Sequence, residues 1–157
     1  MEIQLLVIGK NSSSLLEQAT EQYLERLRHY ISYSIRVLPD VKNTRSLSHD
    51  QQKQAEGRIF LAALQPSDRV VLLDERGKKH TSVGFAQWLQ GRMASGLRRL
   101  VFVVGGPYGF SDTMYERANE KISLSDMTFS HEMIRLFFTE QVYRAMTILR
   151  HEPYHHE

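Results

Sequence analysis

Short apolar runs alternate with amphipathic stretches from one end of this chain to the other, and that alternation limits the possible folds more than any other feature. An apolar run of about 4–8 residues suits a buried strand, whereas apolar residues at every third or fourth position mark one face of a helix. Residues 3–8 read as a strand ended by Gly9. Helical spacing follows over 15–30 at Leu16, Ala19, Tyr23, Leu24 and Leu27, with Ser12 to Ser14 available as caps. Residues 35–38 read as a short strand stopped by Pro39, and 40–47 as a polar loop, expected to be the most mobile segment. Ser48 or Asp50 then caps a helix to about Leu64.

The second half repeats the pattern. Residues 70–73 form an apolar run suited to burial on both faces, and 74–80 read as a charged turn around Gly77. Ser82 caps a helix through about Ser95, with Gly96 at its end. Residues 100–104 are the most apolar strand, and Ser111 or Asp112 opens a helix to about Asn119. After a brief strand at 122–124, the last helix runs from about His131 to Arg150. Its positions Ile134, Phe137, Phe138, Val142, Ala145, Met146 and Leu149 keep helical spacing.

Such alternation predicts an α/β fold with one mainly parallel sheet and helices on both faces. The 157 residues fit a single domain, and neither a repeat nor a linker divides them. A chain of this length buries a core without staples. The absence of cysteine excludes disulfides, thiolate zinc sites and a cysteine nucleophile. The first apolar run is interrupted by Gln4 and has no basic segment before it, so it reads as a strand and not a signal peptide. No stretch approaches the roughly 18 apolar residues of a membrane helix. A soluble, cytoplasmic protein is expected. The net charge of +2 is too small for wholesale coating of nucleic acid. The clusters Arg26, Arg28, His29 and Arg98, Arg99 suit either local phosphate contacts or a solvated face.

In an open parallel sheet, ligands bind beyond the carboxyl ends of the strands. That rule selects three places: Leu73 with Asp74, the loop 105–110, and the segment after Leu124. In VFVVGGPYGFSD (101–112), a buried strand runs into Gly105 and Gly106, then Pro107 and Gly109. Paired glycines let backbone approach a ligand closely, although the same spacing suits an ordinary strand-to-helix turn. The loop lacks the Lys-Ser or Lys-Thr of a phosphate-binding P-loop, and the first strand lacks a dinucleotide fingerprint. In ISLSDMTFSHEMIR (122–135), hydroxyl residues alternate with Leu124, Met127 and Phe129. This pattern suits an adenine ring, or simply a capped connector. Glu140 and Arg144 lie four apart and can pair on one helix face. The closing HEPYHHE concentrates aromatic and imidazole groups after a proline. Tyr154 can stack on a base, and His155 can exchange a proton near neutral pH.

Taken together, these segments resemble the ribosomal RNA large-subunit methyltransferase H family of the SPOUT superfamily. The likeness rests on Val7-Ile8-Gly9-Lys10, Leu73-Asp74 with Gly77-Lys78, and Val104-Gly105-Gly106-Pro107-Tyr108-Gly109. It extends to Leu124-Ser125-Asp126-Met127-Thr128-Phe129, His131, Arg135, Glu140-Gln141-Val142-Tyr143-Arg144-Ala145 and Pro153-Tyr154-His155. Where family members carry proline before the histidine, this chain has Ser130.

The resemblance implies a SPOUT fold with a C-terminal trefoil knot, a homodimer, and S-adenosylmethionine as donor without a metal. It implies methylation at N3 of a pseudouridine in 23S ribosomal RNA, with the assembled ribosome as expected partner. It implies cofactor binding by Leu73, Gly105, Leu124, Ser125, Asp126, Met127, Thr128 and Phe129. His155 is the candidate for removing the N3 proton, Arg144 for holding the base or its developing charge, and Tyr154 for positioning the base. The last few residues are expected to face the Gly105 loop. The competing expectation is a non-catalytic RNA- or nucleotide-binding protein of the same fold.

Overall fold

The computed structural model describes residues 1–156. Five strands and five helices follow one another: β1 (Glu2–Ile8), α1 (Ser14–Leu27), β2 (Ser32–Leu38), α2 (His49–Ala63), β3 (Arg69–Lys79), α3 (Ser82–Ala94), β4 (Arg99–Val104), α4 (Asp112–Arg117), β5 (Glu120–Ser123) and α5 (His131–Leu149). The strands form one sheet in the order β2-β1-β4-β3-β5, and every pairing is parallel.

Side chains alternate across a strand, so the apolar run of β4 serves two cores. Leu100, Phe102 and Val104 point to one face, where they meet Phe85 and Leu89 of α3 and Phe138 and Val142 of α5. Val101 and Val103 point to the other, toward Phe60 of α2 and Met114 of α4. A strand buried on both sides has no polar alternation, which is why β4 stood out in the sequence.

Helix starts follow local chemistry. The Ser48 hydroxyl accepts from Gln51 N–H, and the Gln51 side chain accepts from Ser48 N–H, closing a reciprocal cap on α2. Ser130 caps α5 by accepting from Met133 N–H at 3.2 Å.

Three boundaries differ from the sequence reading. Helix α1 stops at Leu27, short of Tyr30. Strand β2 begins at Ser32, because Ser32, Tyr33 and Ser34 pair with Glu2, Ile3 and Gln4 despite their partly polar character. The charged segment 74–79 belongs to β3. Ile122 of β5 faces Leu73 and then Lys78, so 74–77 leave the ladder and the strand resumes beyond them. Gly77 abuts the Ile122 backbone there, where a Cβ would lie 2.5 Å from its N and C atoms.

At the opposite end of the sheet, Asp68 is 4% exposed and accepts from Arg99 Nε at 2.8 Å, Arg99 Nη2 at 2.6 Å and Gln65 N–H at 2.7 Å. Burial alone raises this carboxyl, but the hydrogen bonds and the charges of Arg99 and Arg117 outweigh it and hold it below its ordinary value. The depressed value adds stability above the usual carboxylate range, and that stability is lost as pH falls through the folded-state value. Asp68→Ala is expected to cost about 3–5 kcal/mol in urea denaturation at neutral pH, because it strands the Arg99 guanidinium. The deficit should shrink in acid, as wild type loses the same contribution.

Candidate active site

The carboxyl ends of β3, β4 and β5 open into a cavity of about 560 Å³, within the size range of small-molecule sites. Its walls come from the three segments singled out by the strand-end rule and from the first turn of α5. Leu73, Gly105, Leu124, Ser125, Asp126, Met127, Thr128 and Phe129 all line it.

The β4 loop is shaped by its glycines. Gly109 sits at φ 85°, in the left-handed region, and its N–H donates to Gly106 O at 3.1 Å. This closes a tight turn with Pro107 and Tyr108 at its tip. The Tyr108 ring stacks on His49 of α2 at 3.8 Å between centroids. Phe110 folds back beneath Gly105, where a Cβ would meet the ring at 3.1 Å. Any larger residue at 105 would displace that ring or fill the cavity.

The β5 loop is held by its hydroxyls. Ser123 Oγ donates to Ser125 O at 3.1 Å, and Ser125 Oγ accepts from Met127 N–H at 2.9 Å. Met127 is 75% exposed and Phe129 40% exposed, and the Phe129 ring packs edge-on against Phe137. From β3, Asp74 accepts from the Tyr115 hydroxyl and from Arg76 N–H. Burial first, then the hydrogen bond and charge of Asp74, raise the Tyr115 phenol. Tyr115 escaped sequence reading because nothing in the spacing of α4 marks it. The cavity combines apolar walls at Leu73, Leu124, Met127 and Ile134 with loop backbone, a surface suited to a flat heterocycle carrying polar edges.

Arg144, Tyr154 and His155 come together elsewhere. After α5, His151 takes a left-handed φ of 57°, and Glu152 N–H donates to Thr147 O at 3.0 Å. The tail therefore turns back along the helix. Glu140 Oε1 accepts from Arg144 Nη2 at 2.6 Å and from the Tyr154 hydroxyl at 2.9 Å. Arg144 Nη1 lies 3.0 Å from His155 Nδ1, and its guanidinium carbon 4.8 Å from the Tyr154 ring centroid. The Tyr154 ring packs on Tyr143, and its hydroxyl lies 3.3 Å from that of Tyr23 on α1. Burial, then Tyr23 and Glu140, push the Tyr154 phenol well up, so it stays neutral. Burial works against the Arg144 charge, but the Glu140 carboxylate more than offsets it and raises Arg144. Arginine has no acceptor, so His155 Nδ1 must accept this bond, which places the proton of the neutral ring on Nε2.

None of these three residues lines the large cavity. Both sites lie on α5, one at His131 and the other thirteen residues later at Arg144, a separation of roughly 20 Å at 1.5 Å per residue. Within one chain, the tail does not face the Gly105 loop. Among the described residues, no group of three or more acidic, histidine or cysteine side chains is arranged to hold a metal, and no helix is long and apolar enough to cross a membrane.

Comparison with known proteins agrees with the architecture. A family model described as a predicted SPOUT methyltransferase matches residues 1–155. Proteins named ribosomal RNA large subunit methyltransferase H are similar over the full length of both chains, at 62% identity in Porphyromonas gingivalis, 57% in Parabacteroides distasonis and 52% in Flavobacterium johnsoniae. A parallel α/β sheet with a ligand-sized cavity at its strand ends, matched from first strand to tail, places this chain in the SPOUT methyltransferase family.

Proposed function

We propose that this protein transfers a methyl group from S-adenosylmethionine to N3 of a pseudouridine in 23S ribosomal RNA, working as a homodimer on the assembled ribosome. One observation carries the reading: the eight expected donor-binding residues line one cavity, while the three base-handling residues cluster at the far end of α5. One subunit offers half a site at each end, and a second copy, laid so that its tail reaches the first copy's cavity, completes both.

The donor supplies an already activated methyl group. The chain's task is alignment and management of one proton. Leu73, Leu124 and Ile134 supply apolar walls to the cavity, and Gly105 lets the loop backbone approach. Tyr154, neutral and held by Glu140, offers a ring for stacking against the base. Arg144 provides a fixed cation for the uracil oxygens as N3 loses its proton. The His155 tautomer sets the order of events. While Arg144 donates to Nδ1, neither ring nitrogen is open to a proton; when Arg144 turns to the base, Nδ1 becomes the acceptor for the N3 proton.

Family membership also brings the expectation of a trefoil knot near the C-terminus. Segment 74–77 bulges out of the β3–β5 ladder between the two pairings of Ile122, and Gly77 lies against the Ile122 backbone.

Calorimetry with S-adenosylmethionine is expected to give micromolar binding that Gly105→Val abolishes. No heat at millimolar donor would favour a non-catalytic RNA-binding protein. The net charge of +2 supplies little phosphate attraction, so methylation of intact ribosomes should greatly exceed that of naked rRNA. Equal rates on both would remove the ribosome from the proposal. Mass mapping of 23S rRNA from a deletion strain identifies the nucleotide.

A further inference from the structure

Glu56 and Arg135 are buried polar residues that the mechanism above leaves unused. Glu56, on α2, is 5% exposed; Arg135, one turn into α5, is 3% exposed. Arg135 Nη2 donates to Ile8 O at 3.0 Å, but its Nε–H has no partner among the described residues. Glu56 Oε2 holds a long 3.4 Å bond from Gln52, and Oε1 has none. Both side chains line a second cavity of about 110 Å³, with Asp40, Pro107 and His131 at its exposed rim. This cavity shares Val104, Gly105, Gly106, Pro107 and His131 with the large one, so the two adjoin along the β4 loop and the start of α5. The loop can run there only because position 106 is glycine: a Cβ would lie 2.4 Å from Glu56 Oε2.

Unpartnered buried polar atoms are costly. A buried donor and a buried acceptor without protein partners, both on residues lining one space beside the large cavity, fit a ligand edge with the opposite pair: one carbonyl oxygen and one N–H. The space is well below that of a whole-nucleotide pocket but suits the edge of one ring.

We propose that this second cavity receives the N1–H and C2=O edge of the target pseudouridine, with Glu56 accepting from N1–H and Arg135 Nε donating to the C2 oxygen. The proposal rests on the methyltransferase reading above and adds to it the residues that tell pseudouridine from uridine. In pseudouridine the sugar joins C5, so N1 carries a hydrogen; in uridine the sugar occupies N1. N1, C2 and N3 are consecutive around the ring. Gripping the first two leaves N3 free to face the adjoining donor cavity. Arg135 on the C2 oxygen also stabilises charge that develops when N3 loses its proton. Sites built to hydrogen-bond a substrate N–H reject the analogue lacking it far more strongly than apolar pockets can.

The test compares ribosomes carrying pseudouridine at the target with ribosomes carrying uridine there, prepared from a strain lacking the relevant pseudouridine synthase. Glu56→Leu removes the acceptor at similar size. The ratio of kcat/KM for pseudouridine over uridine is expected to fall about 10–100-fold, the range of one hydrogen bond to a charged group. Glu56→Gln, which keeps an acceptor oxygen, should recover part of it. Thermal melting should show Glu56→Leu folding at least as stably as wild type, since it removes an incompletely partnered buried carboxyl. Arg135→Gln provides a second arm, read by the same ratio. If both rates fall in proportion and the ratio holds, the cavity contains water and the two residues are structural, which overturns this proposal alone. If wild type fails to methylate pseudouridine ribosomes, the methyltransferase reading falls and takes this proposal with it.

Discussion

Arg144→Ala protein and Leu124→Arg protein, each nearly inactive alone, should regain about a quarter of wild-type methylation when mixed and allowed to exchange subunits. The first substitution removes the cation proposed above to face the developing uracil anion, with an expected loss of about 10²–10³-fold by analogy with other charge-stabilising donors. The second drives a charged chain into the donor cavity, which Leu124 lines. In a two-fold dimer with shared sites, a mixed pair gathers both lesions into one site and leaves the other whole. Random exchange makes half of the dimers mixed, each with one working site of two. The expectation rests on the roughly 20 Å along α5 between His131 and Arg144, which separates the cavity from the tail cluster within one chain. Incorporation of labelled methyl groups into ribosomes before and after mixing is the measurement. No recovery, with exchange verified by mass spectrometry, would mean that each chain holds a complete site.

The sequence was legible where burial is symmetrical. β4 is apolar throughout because both its faces are covered, so 100–104 announced itself, and the glycines after it marked the loop. The rule that ligands gather at strand carboxyl ends then picked three separated segments that form one cavity wall. Legibility failed where tertiary contacts override local character. Asp74, Glu75 and Arg76 look like a turn, yet β3 continues past them because Lys78 and Lys79 find partners on β5. Glu56 sits among polar neighbours on a helix whose sequence suggests a solvated surface, and only the approach of the Gly106 loop and α5 buries it. Arg135 entered by family likeness alone; no periodicity distinguishes a buried arginine from an exposed one. The tail residues were identified by type, but their distance from the Gly105 loop depends on α5 being straight and continuous, a property of the fold.

Gly77→Ala and Gly91→Ala are the same chemical change and should have opposite effects. At Gly91, within α3, an added Cβ meets nothing within 4 Å, so the methyl only restricts the unfolded chain and improves helix propensity. A gain of about 0.5–1 kcal/mol is expected in urea denaturation. At Gly77 the added Cβ would lie 2.5 Å from N and C of Ile122 and 2.7 Å from its Cα. These are backbone atoms locked in the sheet, with no side chain that can rotate away. Either β5 shifts or segment 74–77 lifts off it, and the cost should reach about 3 kcal/mol, the upper end for overpacked cores. The damage should extend to ligand binding, because Leu73, Asp74, Glu75 and Arg76 on the β3 side of this contact and Ser123 to Phe129 on the β5 side form two walls of the large cavity. Calorimetry with S-adenosylmethionine should therefore show donor affinity falling with stability in Gly77→Ala and unchanged in Gly91→Ala. Normal donor binding in a destabilised Gly77→Ala protein would show that the cavity does not depend on the Gly77–Ile122 contact. An undiminished stability would mean that the two strands separate there without cost.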